Sequence, residues 1–261
     1  MAYYTNPLLE RLKRHLNVDI QQLVLNRTVL TNLQTYMSAY PTDSAMQCNF
    51  DAAFQYLDQC EGDEKCSLYA AMVDGKYYGL MMLRHGLKPD LRWRPSPEVA
   101  HQPFPGFRPQ VDGFDARRVT DILILCSHGG PRGLGQLLVL WALALSQPGV
   151  FLQLSIRIET VEVDFSNDPS AQWVGGKYLV TQHTYLEAAE HIYQKFGFRP
   201  VAVENNRGEP VGGIFYYRGE PLTDYELTGY MSHLKSHGVV VDVPEMSESA
   251  LAMDLPQELT A

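Results

Sequence analysis

The chain has 261 residues, 45% of them apolar and 20% charged, enough to bury one sizeable core or two small ones. Its net charge of −9 disfavours a nucleic-acid surface, whose footprint is basic, and no apolar run approaches the roughly 18 residues of a membrane span. Asp242, Glu245, Glu248, Asp254 and Glu258 lie in a tail without Lys or Arg, so the body is only mildly acidic.

Asn6 before Pro7 makes a helix start: a polar cap, then a ring whose fixed φ suits the first turn. LLERLKRHL continues at helical spacing. This segment lacks the charged-then-apolar order of a signal peptide, and Glu10 and Asp19 argue against a transit peptide, so a cytoplasmic location is expected. IQQLVLNR is read as a strand, TVLTNLQTYMSAY as a helix stopped at Pro41, and FDAAFQYLDQC as a second helix capped by Asn49. SLYAAMVDGKYYGLMML is a hairpin. Asp74-Gly75 supplies the positive φ angles of a type I′ turn, and Gly79 inside the second strand suggests a bulge. Cys48, Cys60, Cys66 and Cys126 are irregularly spaced with no C-x-x-C pair, so no zinc site is expected. Cys60 and Cys66 could bridge across EGDEK, but free thiols are the expectation for a cytosolic chain.

Residues 86–116 hold six of the sixteen prolines together with Trp93, Phe104, Phe107 and Phe114, and read as a long insertion. RVTDILILCSH is a β-branched strand. HGGPRGLG follows as a glycine-rich loop, and a helix runs from about Leu134 to Ser146. FLQLSIRIETVEVDF reads as one long strand, and residues 165–184 as a second, loop-rich insertion. YLEAAEHIYQKFGF is a helix with apolar residues at 185, 188, 189, 192, 193 and 196, stopped at Gly197. PVAVENN and GGIFYYRG look like a final strand pair. DYELTGYMSHLKSHG is a short helix ending at Gly238, and the acidic remainder is expected to be mobile. The order predicts an α/β or α+β domain around a mixed central sheet flanked by helices. Its parts are a helical extension (1–17), the main domain with its two insertions (18–222), and a C-terminal helix with the acidic tail (223–261).

The loop is the chemical signal. A Walker A loop would need Lys and Ser/Thr where Gln136 and Leu137 stand, and the dinucleotide fingerprint would need glycine at Leu138. Strand, glycine turn and helix N-terminus still place free N–H groups and a positive dipole end toward an anion, with Arg132 adding a charge. A plain strand-to-helix turn is the competing explanation.

Gly130-Pro131-Arg132-Gly133-Leu134-Gly135, with Tyr193, Lys195, Gly197 and Phe198 downstream, resembles the GNAT superfamily of acyl-CoA-dependent N-acyltransferases over roughly residues 18–218. Two positions depart: Gly130 stands where the family usually has Gln or Arg, and Leu186 where Asn is common. The resemblance implies a GNAT-like sheet splayed at the strand before the loop. Leu125 and Cys126 would offer backbone groups to a pantetheine arm, and Arg132, Gly133, Leu134, Gly135 and Gln136 would hold the pyrophosphate. Acetyl-CoA or another acyl-CoA would be the cosubstrate, with no metal.

Acyl transfer to an amine needs a base for the nucleophile and a proton for the leaving thiolate. Asp121, between apolar neighbours on the strand feeding the loop, is the first candidate base. Glu159 and Glu162 on the next strand and His128 at the loop mouth follow. Each carboxylate could equally be a solvated strand position, and Arg117 or Arg118 could pair with Asp121. The resemblance gives Tyr193 the thiolate-protonating role, while its helical spacing is also that of a core tyrosine. The expected function is therefore transfer of an acyl group, acetyl by default, to a small-molecule primary amine. The alternatives are a non-catalytic coenzyme-binding or interaction module and a protein lysine or long-chain acyltransferase. No nucleic-acid or membrane partner is expected, and a homodimer is left open. Trp93, Phe104 and Trp173 in the insertions could cage a cation or simply pack.

Overall fold

The computed structural model describes residues 6–37, 50, 53–58, 60, 62–86, 107–109, 118–127, 130–146, 150–154, 157–162, 172–174, 176–184, 187–205 and 214–242. The chain begins with α1 (Pro7–Arg14), whose cap Asn6 accepts a hydrogen bond from the Leu8 N–H. Then come β1 (Asp19–Leu23), α2 (Arg27–Met37) and the helical segment 53–58, here α3. The hairpin is β2 (Cys66–Val73) and β3 (Lys76–His85), turned by Asp74 and Gly75 at φ 49° and 76°. The sequence predicts both the turn and a bulge at Gly79. Ala71 faces Gly79 and Met72 faces Tyr77, which leaves Tyr78 as the extra residue.

After β4 (Phe107–Pro109) come β5 (Thr120–Ser127), α4 (Leu134–Leu145) and β6 (Val150–Leu154). They are followed by β7 (Arg157–Glu162), β8 (Gln172–Val174), β9 (Lys177–Thr184) and α5 (Glu187–Lys195). The last elements are β10 (Arg199–Val201), β11 (Val203–Asn205), β12 (Ile214–Arg218) and α6 (Asp224–Lys235). Seven strands form the main sheet in the order β1-β2-β3-β5-β6-β12-β10. Every pairing in it is antiparallel except β5 with β6, the pair that α4 connects. Among the described residues β4 pairs with β11 alone.

Helices cover both faces, because alternate strand residues point to opposite sides and both sets are apolar. Tyr69, Met81, Leu83 and Ile122 pack with α1, α4 and α6, with Ile192 and Tyr193 of α5 against them. Leu68, Leu80, Met82 and Ile124 pack with α2 and α3. Helix α4 is apolar on all sides, with nine of its twelve residues buried, so it forms the centre of the first face.

Three expectations change. The single strand read over FLQLSIRIETVEVDF is two strands in different sheets, β6 in the main sheet and β7 in a three-stranded sheet of order β7-β9-β8. The stretch read as a loop-rich insertion thus contains β8 and β9. Its opening SNDPS carries turn residues, but Tyr178, Val180, Thr181 and Thr184 are good strand formers and β9 is eight residues long. Third, the segment just after Gly238 is docked through Asp242. Val239 and Val240 are buried, Leu16 bridges Val240, and Lys235 pairs with Asp242. Two apolar residues reverse the chain there before the acidic run begins. Pro41, Asn49, Leu186, most of 86–116 and the tail from 243 lie outside the described residues.

Candidate active site

The site is built on β5. Its parallel pairing with β6 covers only Thr120↔Val150, Asp121↔Phe151 and Ile122↔Leu152, while β5 continues to Ser127. Beyond Ile122 the two strands part. A register shift coincides with the parting: Leu83 faces Ile122 and Met82 faces Ile124, so Leu123 is an extra residue. The bulge sends Leu123 and Ile124 to the same α2–α3 face, and Leu125 returns to the α4 face. Among the described residues, β5 from Leu123 to Ser127 has no pairing to β6, on the strand where the resemblance implies a splay. Leu125 and Cys126 both lie on this stretch. The Cys126 side chain is buried toward α2 and α3, so only its backbone faces the edge.

The edge runs into the glycine loop. Gly133 is the N-cap residue of α4 at φ 83°, a conformation that disfavours side chains, and no side chain caps the helix. Leu134 N–H donates to Pro131 O at 3.4 Å and Leu137 N–H to Gly133 O at 2.8 Å, and among the described residues the Gly135 and Gln136 N–H groups between them have no backbone partner. Close packing explains the neighbouring glycines. A Cβ at Gly130 would lie 2.7 Å from Tyr78 Cβ, one at Gly133 3.2 Å from His237, and one at Gly135 3.1 Å from Ser127 Oγ. The departure at Gly130 thus has a steric cause: the bulge at Tyr78 fills the space a Gln or Arg would need.

Ser127, Gly130, Pro131, Arg132, Gly133, Leu134, Gly135, Gln136 and Ile192 line a cavity of about 290 Å³. All five residues expected to hold the anion, Arg132 through Gln136, are brought together there. Ser127 and Ile192 are additions that sequence reasoning missed: one ends a strand, the other precedes Tyr193, and neither has a chemical signature. Arg132 is exposed at the mouth.

Tyr193 follows Ile192 on α5. Its ring lies edge-on to Phe198, centroids 6.0 Å apart, and 6.1 Å from that of Tyr216. Burial pushes its phenol up to about 12, so the hydroxyl keeps its proton at neutral pH. Asp121 is 7% exposed and sits opposite Arg84 on β3 and Phe151 on β6, where β5 is still paired on both sides. Glu159 and Glu162 fall on β7, outside the main sheet, with Glu159 opposite Gln182. His128 lies outside the described residues. Among the described residues no group of three or more His, Cys, Asp or Glu could hold a metal ion, and no helix is long and apolar enough to cross a membrane.

No family model matches the chain, and no curated protein does. Solved structures are similar to it at low identity. A GNAT-family acetyltransferase from Streptococcus pneumoniae is 13% identical, covering 77% of this chain and 98% of its own, with a TM-score of 0.34. The N-acetyltransferase PseH from Campylobacter jejuni is 10% identical over 78% and 98%, at 0.35. An acetyltransferase from Thermus thermophilus is 14% identical over 79% and 99%, at 0.38. TM-scores below 0.5 are too low to assign a fold or an activity, so both rest on the chain's own geometry.

Proposed function

We propose that this chain is an acyl-CoA-dependent N-acyltransferase acting on a small primary amine, with acetyl as the acyl group. One observation carries the reading: Ser127, at the end of the parted β5 edge, and the Gly133 N-cap of α4 line the same cavity. The fit is chemical. A strand edge with no neighbour offers N–H and C=O groups at regular spacing, which suits an extended arm containing amides. The loop N–H groups and the α4 dipole suit a pyrophosphate, Arg132 adds a positive charge, and side chains at Gly130 and Gly135 would crowd the loop. When bound, the coenzyme supplies an activated thioester.

The chain's own residues then have two tasks. The neutral Tyr193 phenol donates a hydrogen bond and a proton to the departing sulfur. Asp121 accepts the amine's proton through water, and Glu159 is the alternative base. Exposed Trp173, its ring 4.6 Å from Tyr178, offers an aromatic face to a cationic acceptor.

A second reading is favoured by the packing of Tyr193 against Phe198 and Tyr216: the chain binds the coenzyme and does not turn it over. Calorimetry with acetyl-CoA, longer acyl-CoAs and free CoA, followed by thiol release with a panel of amines, separates the two. Binding with release supports transfer, and binding without release from any amine supports the second reading. Absence of binding by every coenzyme form overturns both.

A further inference from the structure

A turn brings two cysteines together between α3 and β2. Asp63 N–H donates to Cys60 O and Cys66 N–H to Asp63 O, each at 2.9 Å. Cys60 is part of the α2–α3 core with Cys66 packed against that core, and Arg84 lies directly opposite Cys66 in the β2–β3 register. A hydrogen bond with Cys66, together with burial, pushes the Cys60 thiol up. The same bond, with help from Arg84, holds Cys66 below the ordinary thiol range against burial and the charge of Asp63.

Arg84 is 6% exposed. Its terminal nitrogens donate to Gly86 O and to Asp63 Oδ2, the latter at 3.0 Å, and its Nε has no partner. A buried cationic donor left unsatisfied beside a sulfur favours negative charge on that sulfur. Cys60 is 1% exposed and Cys66 half-buried, so Cys66 is the sulfur a solute can reach. The two have distinct roles available, one attacking and one resolving.

We propose that Cys60 and Cys66 form a reversible dithiol–disulfide site, oxidised by exchange with a small-molecule disulfide of the glutathione class. The Cys66 thiolate attacks one sulfur of oxidised glutathione, the S–S bond breaks, and one glutathione thiolate leaves. Cys60 releases its proton to solvent and its sulfur attacks that of Cys66 in the mixed disulfide, expelling the second glutathione thiolate. Two electrons pass from the cysteine pair to glutathione, and solvent protonates the two leaving thiolates. The new bond closes a loop over residues 61–65 and ties α3 to the sheet. No residue placed in the acyl-transfer site takes part, so the site is independent of that reading.

The test uses the full chain, reduced and then incubated with oxidised glutathione, acid-quenched, and followed by intact mass and peptide mapping. The expected product is two hydrogens lighter, carries a Cys60–Cys66 link, reverts with dithiothreitol and melts about 5 °C higher. Cys60→Ser stops at a mixed disulfide on Cys66, and Cys66→Ser leaves buried Cys60 unmodified over the same time. Cys60→Ala serves if the serine variant does not fold. Arg84→Gln slows alkylation of Cys66 about tenfold at neutral pH, and Arg84→Lys restores part of it. A link through Cys48 or Cys126 instead, failure of any link to form, or alkylation of Cys66 indifferent to Arg84 overturns the proposal.

Discussion

At the scale of single residues, Tyr193 and Gly130 give the cleanest tests of the proposed chemistry. The Tyr193 ring is held by Phe198 and Tyr216, so Tyr193→Phe keeps that packing and removes only the hydroxyl. If the hydroxyl protonates the leaving sulfur, turnover falls by about 10²-fold, the usual scale for one general acid. Coenzyme affinity and melting temperature stay within error. A variant that melts lower with full turnover identifies a packing hydroxyl instead. Gly130→Ala probes the loop from beneath. Its new methyl must displace Tyr78, because Tyr78 Cβ lies 2.7 Å from where the methyl would sit. We expect coenzyme affinity to weaken about tenfold, on the order of 1.4 kcal/mol, with stability reduced less. Gly133 is a poorer probe, since a substitution there strains a positive φ and also meets His237, so lost binding would not isolate the anion site.

At the scale of elements, α6 is held by a buried guanidinium. Arg218 is 4% exposed and donates to Phe196 O, Glu220 O, Pro221 O and both Glu226 oxygens, joining the end of α5 and the end of β12 to the start of α6. Burial pushes the Glu226 carboxyl up, but hydrogen bonds from Arg218 and Thr223 outweigh it and hold the group below its usual range. A folded-state value below the unfolded one means that its stabilisation is present above the unfolded value, about 4.3, and is lost as pH falls through the folded one. Melting temperature should therefore drop steeply below about pH 4, and Glu226→Gln should flatten that drop while costing about 1–2 kcal/mol at pH 7. Thermal melts over a pH series decide it, and an unchanged acid limb would remove Glu226 from the account.

What was legible at this scale follows from the kind of signal each element carries. The hairpin was readable because Asp74-Gly75 demands one turn type, and α4 because an apolar run follows three glycines. The bulge at Leu123 was not. In TDILILCS nearly every residue past Asp121 is apolar, so a one-residue slip leaves no trace in the pattern. The break between β6 and β7 was hidden in the same way, by strand formers on both sides. In the site, Arg132 through Gln136 announced themselves by glycine and charge. Ser127 and Ile192 did not, and helical spacing alone could not separate a catalytic Tyr193 from a core one.

At the scale of the molecule, both ends of the described chain converge on α4 and its loop. Asn6 donates to Ala144 O at the far end of α4. Val239 O accepts from Asn17 N–H, and Val241 N–H donates to His15 O, so the segment after α6 is sewn to the segment after α1. Leu234 and His237, at the end of α6, lie directly behind Gly133. The C-terminal segment thus packs against the loop at Gly133. Removing residues 245–261, a stretch with four side-chain carboxylates and no Lys or Arg, should change neither melting temperature nor coenzyme affinity. Removing residues 239–261 should change both. It strips Val239 and Val240, which are 0% and 3% exposed, from the core. Burial of two valines is worth about 2–4 kcal/mol after allowing for a compact unfolded chain. At roughly 2–4 °C per kcal/mol for a chain of this size, the longer deletion should melt about 5–10 °C lower. Freed at its end, α6 would no longer hold His237 against Gly133, so coenzyme affinity measured well below the melting range should fall as well. Equal affinity in the two truncated forms would show that the loop keeps its shape without α6 behind it, and its anchoring would then lie with Tyr78 and β3 alone.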